Sequence, residues 1–495
     1  MSDPWQRLLP KLEELAHLRA AGALFSWDQA VLMPPKGGAA RAGALATIES
    51  IAHERLTDPE LGGLIEELGS DADLDESRAA HVRVLKRDHS RALRLPPALV
   101  AELAQAKGVA YEAWTEARPA SDFRSFQPHL EHLVSLKFQE ADALGYEGER
   151  YDALLDLYEP AMTTRRLEKL FGGLVEGLKP LVEGAIPPVE ERPGWMEQPF
   201  EALQQDRLCR WLVASIGFSF EGGRLDSSPH PFTTSIGPGD IRQTIRTQSN
   251  ALLPSLYAAL HETGHALYEQ GIPEDLVGLP AGSAPSLGMH ESQSRLWENL
   301  VGRRRSFTDF LLPHVKERFP AELGMVSPDE FHLGVNYPER TTIRIYADEL
   351  TYNLHIALRF EIELALFRNE LDVADLPDAW NAGMEKHLGV RPQDDGDGVL
   401  QDVHWSMGLH GYFPTYTLGN IYSAAFFDKA AEEIGGLDDD FHDGDTSRLL
   451  GWLRAKIHSQ AYLYPAAELA EKVVGHQVTS DPLLGYLREK YRSLT

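Results

Sequence analysis

The sequence predicts a mainly α-helical protein with one small β-sheet, and three observations carry that prediction. Apolar residues recur at helical spacing through almost all of the first third of the chain, in runs closed by Gly, Pro or Asp/Ser clusters. The texture changes between about Ile216 and Arg246, where GFSFEGGRLDSSPHPFTTSIGPGDIRQTIR sets Gly, Pro and Ser clusters between short alternating runs, and two or three short strands are expected there. Directly afterwards LPSLYAALHETGHALYEQG, Leu253 to Gly271, resumes a helical period and places two histidines four residues apart.

Taken in order, the first helix runs from Trp5 to about Gln29, with Trp5, Leu8, Leu9, Leu12 and Leu15 as its stripe, and MPPKGG at Met33 to Gly38 breaks it. A second resumes near Ala39, and helical stretches continue through IESIAHERL, ELGGLIEELG, SRAAHVRVLKRDHSRALRL and ALVAELAQAKGVAYEAWTEA. In FQPHLEHLVSLKFQEADAL, His129 and His132 flank Glu131, but a spacing of three suits a metal less well here than a spacing of four, so surface histidines are expected. Thr163 or Thr164 is placed to cap the next helix. Beyond RSFTDFLLPHVKERF and SPDEFHLGVNY, the run PERTTIRIYADELTYNLHIALRFEIELALF reads as one long amphipathic helix with Arg344 and Asp348 at i,i+4. That pair is either a surface ion pair or, if the helix lines a cleft, Arg344 is a planar fork for a carboxylate. QDDGDG, Gln393 to Gly398, lacks EF-hand spacing and reads as a solvated loop, and LDDDFHDGD, Leu437 to Asp445, reads as another.

Composition bounds the function. With 75 acidic against 47 basic side chains the net charge is −28, which opposes binding to nucleic acid or an anionic membrane. Cys209 is the only cysteine, so no intrachain disulfide framework exists and a packing role is expected for it. The N-terminal stretch has neither a basic leader nor a sustained apolar run, and nothing later reaches transmembrane length, so a soluble cytoplasmic protein is expected. No low-complexity linker divides the 495 residues, so a single unit is expected.

The chemistry centres on HETGH. His261 and His265 project from one helix face and can grip one ion, while Glu262 lies about 100° round the helix, placed as general base in metal-assisted hydrolysis. Leu252, Leu253, Leu256, Leu260 and Leu267 specify the helix, and Gly271 with Pro273 ends it. Catalytic zinc takes three protein ligands, and the best third candidate is Glu291, in the first turn of a second helix within GMHESQSRLWENL. His290 beside it reads as a supporting or packing residue rather than a ligand. An exposed edge strand just before the HETGH helix can pair with an extended peptide, although a purely structural sheet is an equal reading. His404, Trp405, His410, Tyr412 and Tyr416 gather in one polar-aromatic stretch able to donate hydrogen bonds to an oxyanion.

Together these segments resemble the thermostable carboxypeptidase (carboxypeptidase Taq) family of zinc metallocarboxypeptidases. The resemblance rests on HETGH at His261 to His265, DIRQT at Asp240 to Thr244, HESQ at His290 to Gln293, IRIYAD at Ile343 to Asp348 and GVLQDVHW at Gly398 to Trp405. WDQAVLMPPKGGAAR and GRLDSSPHPF extend it over nearly the whole chain. It implies a two-lobed helical body around a deep cleft, with a helical lobe over about 1–185 and a catalytic core over about 186–495, usually as a homodimer. It implies that His261, His265 and Glu291 hold zinc, with cobalt or manganese as substitutes, and that Glu262 is the base. Arg344 becomes the binder of the substrate's terminal carboxylate, Asp240 and Arg242 are read as substrate-binding, and His404 and Tyr412, with Tyr416 as a further choice, stabilise the oxyanion. The implied activity removes single C-terminal residues from peptides with broad specificity and disfavours proline. The competing expectations are an oligopeptidase in which Arg344 is structural, and a non-catalytic scaffold with a structural zinc, for which four ligands and several cysteines would be needed.

Overall fold

The helical periods fold as helices in the computed structural model, which describes residues 3–187 and 192–494. The first, Pro4–Val31, starts where the Asp3 side chain accepts the Trp5 N–H, and it buries Trp5, Leu8, Leu12 and Leu15 on one stripe. A 3-10 turn at Pro35–Gly37 separates it from Gly38–Leu56, a helix that buries no side chain fully. The stripe meets Leu61, Leu64, Ile65, Leu68, Val82 and Leu85 of the next two helices, Pro59–Gly69 and Glu76–Arg94, in a small core of its own. From Leu99 to Tyr491 a second, continuous apolar core takes over. Thr163 caps Thr164–Ala185 by accepting the Arg166 N–H. Cys209 is buried in the large core, where burial pushes its thiol up to about 12, as a packing role requires.

The change of texture yields three strands, β1 Gly223–Ser227, β2 Thr233–Gly237 and β3 Asp240–Ile245. Their spatial order is β1-β3-β2, with β1 parallel and β2 antiparallel to β3. The HETGH helix, Leu253–Glu269, packs on β2 and β3, and a hydrogen bond from the Thr263 hydroxyl to Gln243 fixes that contact. The protein is thus mainly helical with one small sheet beside the HETGH helix.

Two expectations need correction. The long helix does not include Arg344: it runs Tyr352–Phe367, and Arg344 lies on a 3-10 turn, Arg344–Tyr346. Asp348 does not pair with Arg344, because its carboxylate accepts from the backbone of Leu350, Thr351 and Glu339 and from the Thr351 hydroxyl. Such local bonding offers the backbone an alternative to helix. Conversely, Leu437–His442 is helical rather than loop, since Leu437 and Phe441 bury together while Asp438, Asp439 and Asp440 sit in the favoured first turn. Among the described residues no helix is long and apolar enough to cross a membrane.

Candidate metal centre

Two helices build the centre. His261 and His265 come from Leu253–Glu269, and Glu291 from Leu287–Arg295, with its own N-cap at Ser286. They cross closely because residue 264 is glycine: a Cβ there would stand 2.6 Å from the Gln293 carbonyl oxygen and from Ser294 Cα. As a result Glu291 Oε2 lies 3.7 Å from His261 Nε2 and 3.4 Å from His265 Nε2. Among the described residues these three are the one group whose donor atoms converge as a metal requires, all within 4.8 Å of one another.

The surroundings fit a divalent ion. His261 Nδ1 is 2.9 Å from Glu298 Oε2, and His265 Nδ1 is 2.5 Å from His290 Nδ1, whose Nε2 is 2.8 Å from Glu269 Oε1. Each of the two histidines therefore has its outer nitrogen engaged and its Nε2 turned inward, the arrangement that supports a metal-binding imidazole. The second Glu291 oxygen accepts from Arg295 Nε at 2.8 Å. Burial would raise the Glu291 carboxyl, but His261 and Arg295 overcome it and hold the group well below the carboxylate range. Burial and the neighbouring His290 push His265 down to about 3, so it is neutral and free to ligate. Two imidazoles and one carboxylate suit zinc and leave room for water and substrate.

Glu262 is buried beside the triad, and burial raises its carboxyl. Its Oε2 accepts from the Thr233 hydroxyl of β2 at 2.7 Å, and the same hydroxyl reaches the Glu262 carbonyl at 2.9 Å. The edge strand thus touches the candidate base directly.

The second cluster comes from the turns before Pro414–Ile434 and from the start of that helix. His404 Nε2 lies 3.1 Å from the Tyr416 hydroxyl, and the Tyr412 and Tyr416 rings are 5.4 Å apart. Burial pushes His404 down to about 3 and Tyr412 up to about 12, so both remain neutral, and Tyr412 feels the Glu291 charge. Arg344 is enclosed by Tyr352, Phe413 and Tyr416. Its Nε and Nη2 donate to Asp402 Oδ1 at 3.0 and 2.7 Å, and Nη1 donates to the Tyr352 hydroxyl at 3.0 Å. One edge of the fork is therefore occupied, and what is left for a ligand lies on the terminal nitrogens.

Asp240 and Arg242 bind one another, through bonds of 2.8 and 2.7 Å, and the Arg242 guanidinium lies over Trp27 of the first helix. Arg224 of β1 also lies over that ring. His132 only approaches exposed Glu102, at 3.6 Å. Sequence reasoning missed Glu298, Arg295, Glu269, Asp402 and Thr233. The spacing Glu291, Arg295, Glu298, which the structure places on Leu287–Arg295 and the π-helical turn Leu296–Val301 that continues it, was the readable signal for two of them.

Comparison with known proteins bears on this geometry. Residues 7–491 match the carboxypeptidase Taq (M32) metallopeptidase family. The chain belongs to that family. It is 45% identical to thermostable carboxypeptidase 1 of Thermus thermophilus, covering 99% of this chain and 98% of that protein. Thermostable carboxypeptidase 1 of Pyrococcus furiosus is 37% identical, over 98% of each. The structure of the M32 carboxypeptidase from Deinococcus radiodurans R1 superposes with a TM-score of 0.96 at 38% identity, over 99% of both chains. As an M32 member the protein is a metallocarboxypeptidase, a hydrolase of peptides, and the non-catalytic scaffold reading falls away.

Proposed function

We propose that this M32 enzyme is a zinc carboxypeptidase that releases single C-terminal amino acids with broad specificity and disfavours a terminal proline, with His261, His265 and Glu291 as ligands and Glu262 as base. The observation that carries the reading is the convergence of His261, His265 and Glu291 with Glu262 buried beside them. Zinc held by that triad supplies Lewis-acid polarisation of the scissile carbonyl and eases proton loss from water; cobalt or manganese can substitute. Glu262 Oε1 takes the proton of the attacking water and later gives it to the leaving amine, while Thr233 holds Oε2. The burial that raises the Glu262 carboxyl suits it to hold that proton between the two steps.

Neutral His404 and the Tyr412 hydroxyl, with Tyr416 as the further choice, donate to the oxyanion; the bond between His404 Nε2 and the Tyr416 hydroxyl leaves only one of those two free to donate. The terminal nitrogens of Arg344 bind the free carboxylate, which sets the register of cleavage. β2, an edge of the sheet beside Glu262, can pair with the substrate backbone irrespective of its side chains, as broad specificity requires. Asp240 and Arg242 are assigned to the substrate path through their places on the adjacent strand β3. A single peptidase domain is proposed, with a helical lobe over about 1–185 and a catalytic core over about 186–495; the apolar core that crosses that boundary supports one unit. It is proposed to act in the cytoplasm as a homodimer and not to bind nucleic acid.

The Arg344–Asp402 pairing is the feature that favours the alternative, an oligopeptidase in which Arg344 is structural. Release of free amino acid from an N-blocked dipeptide and from its C-terminal amide separates the two, using metal-loaded, chelated and Glu262→Gln protein. Release from the acid alone, abolished by chelation and by the substitution, is expected. Cleavage indifferent to amidation refutes the anchoring role.

A further inference from the structure

We propose that Glu159, far from the triad in sequence, is a positioning residue for Glu291: with the Tyr158 carbonyl it fixes the first turn of the helix that carries the third metal donor. The inference rests on the assignment of His261, His265 and Glu291 as the metal site.

The leading N–H groups of a helix have no partner within it and must find one outside. Three such groups lead Leu287–Arg295: the local cap takes one, Met289 N donating to Ser286 Oγ at 2.9 Å, while His290 N already makes the first bond of the helix, to the Ser286 carbonyl at 3.1 Å. The other two go to a remote segment. Leu287 N donates to the Tyr158 carbonyl at 3.0 Å, and Gly288 N donates to a Glu159 carboxyl oxygen. Glu291 follows directly, so any slide of this turn carries its Oε2 away from the two imidazoles. Glycine at 288 is what admits the contact, since a Cβ would stand 2.5 Å from Glu159 Oε1.

Glu159 is 1% exposed, and among the described residues no cation pairs with it; its further partner is the Ser286 side chain. Burial raises its carboxyl to about 8, so it sits there neutral, and a buried polar group that an apolar side chain could replace is explained by the bonds it makes to this turn rather than by what it stabilises. The turn that presents it is itself pinned. Ala161 adopts a left-handed φ of 64°, and its N–H donates to Asp156 Oδ1 at 2.8 Å. The Asp156 carbonyl accepts from Arg87 and Arg91, at 2.6 and 2.5 Å. Strain of this kind persists only where the surroundings over-determine it. From the same segment the Tyr158 ring packs edge-on against Tyr412, with centroids 5.2 Å apart, so one strut meets both halves of the centre.

The test uses full-length Glu159→Ala, Glu159→Gln and Glu291→Gln proteins, read by chelator competition for zinc, by the visible spectrum of the cobalt-substituted forms, and by melting of the metal-free proteins. Glu159→Ala should lose about 10–100-fold in metal affinity with an altered cobalt spectrum, and Glu159→Gln, which keeps an acceptor for the Gly288 N–H, should return to within about threefold of the parent. A lowered melting temperature with unchanged affinity and spectrum makes Glu159 merely structural and overturns the proposal. Should Glu159→Ala not fold, Glu159→Asp, one methylene shorter, carries the same expectation and the same refutation. Native affinity in Glu291→Gln refutes the metal-site assignment itself; loss there with native behaviour in the Glu159 variants refutes only the positioning role.

Discussion

Replacing Asp402 by asparagine should destabilise the protein sharply. Its carboxylate is the shared counter-ion of Arg344 and Arg359, whose side chains are 8% and 0% exposed. Arg359 Nε reaches Asp402 Oδ2 at 2.6 Å, and its remaining bonds go to the His355 carbonyl and Gln401 Oε1, both neutral. Burial would raise the Asp402 carboxyl, yet the two guanidinium groups hold it far below the carboxylate range. A neutral amide in its place would leave two buried cations without an anion. Breaking one buried pair in this way costs about 3–5 kcal/mol. Unfolding entropy of about 2 cal/mol/K per residue makes that a fall of roughly 3–5 °C in melting temperature for a chain of this size. Differential scanning calorimetry of metal-free native and Asp402→Asn protein measures it, and adding Arg359→Met to the variant should recover part of the loss. A melting temperature within about 1 °C of native would refute the view that charge pairing holds this cluster.

Glu298→Ala removes the acceptor for His261 Nδ1, so metal affinity in chelator competition should fall about 10–100-fold. Arg344→Ala should impair cleavage of free-acid peptides far more than metal content, and equal loss of both would count against the anchoring role. Gly264→Ala should lower metal affinity and melting temperature together, because its Cβ would force the two ligand helices apart. Glu363, raised to about 7 by burial, binds its proton more tightly folded than unfolded, so its contribution is full below about pH 4.5 and is lost as pH rises to about 7. Glu363→Gln should therefore gain on the native protein, by up to about 3 kcal/mol, between pH 5 and 7.5 in denaturant titrations, and an unchanged difference would refute this.

Much of the candidate metal centre was legible because helices turn spacing into direction. The spacing of four from His261 to His265 puts two imidazoles on one face, and the apolar stripe of Leu296, Trp297 and Leu300 located a helix for Glu291. Partners brought from afar were not legible. Nothing near Glu291 in sequence indicates that Glu159 receives the Gly288 N–H, and nothing near Arg344 indicates Asp402. The misplaced Arg344 has a local cause instead: the apolar pattern around it continues at helical spacing, but the Asp348 side chain takes the Leu350 and Thr351 N–H groups just before the helix that starts at Tyr352. The short helix at Leu437–His442 was hidden by its acidity, which in a first turn is stabilising.

The separate apolar core of the first four α-helices bears on how the native protein opens. Residues from Trp5 to Leu85 share a small interior, most residues from Leu99 onward share a large one, and a third cluster of Ala80 and Val84 with Ala281 and Tyr462 is the seam between the two. The first helix nevertheless packs on β2 and sets the Trp27 ring against the guanidinium groups of Arg224 and Arg242. A unit with its own interior can detach at less than the cost of global unfolding. Amide hydrogen exchange should then release the backbone of Gly38–Leu56 first, the rest of the four-helix unit next, and the HETGH helix last. Rapid access to β2 and slow exchange at the centre would thus coexist in one folded chain.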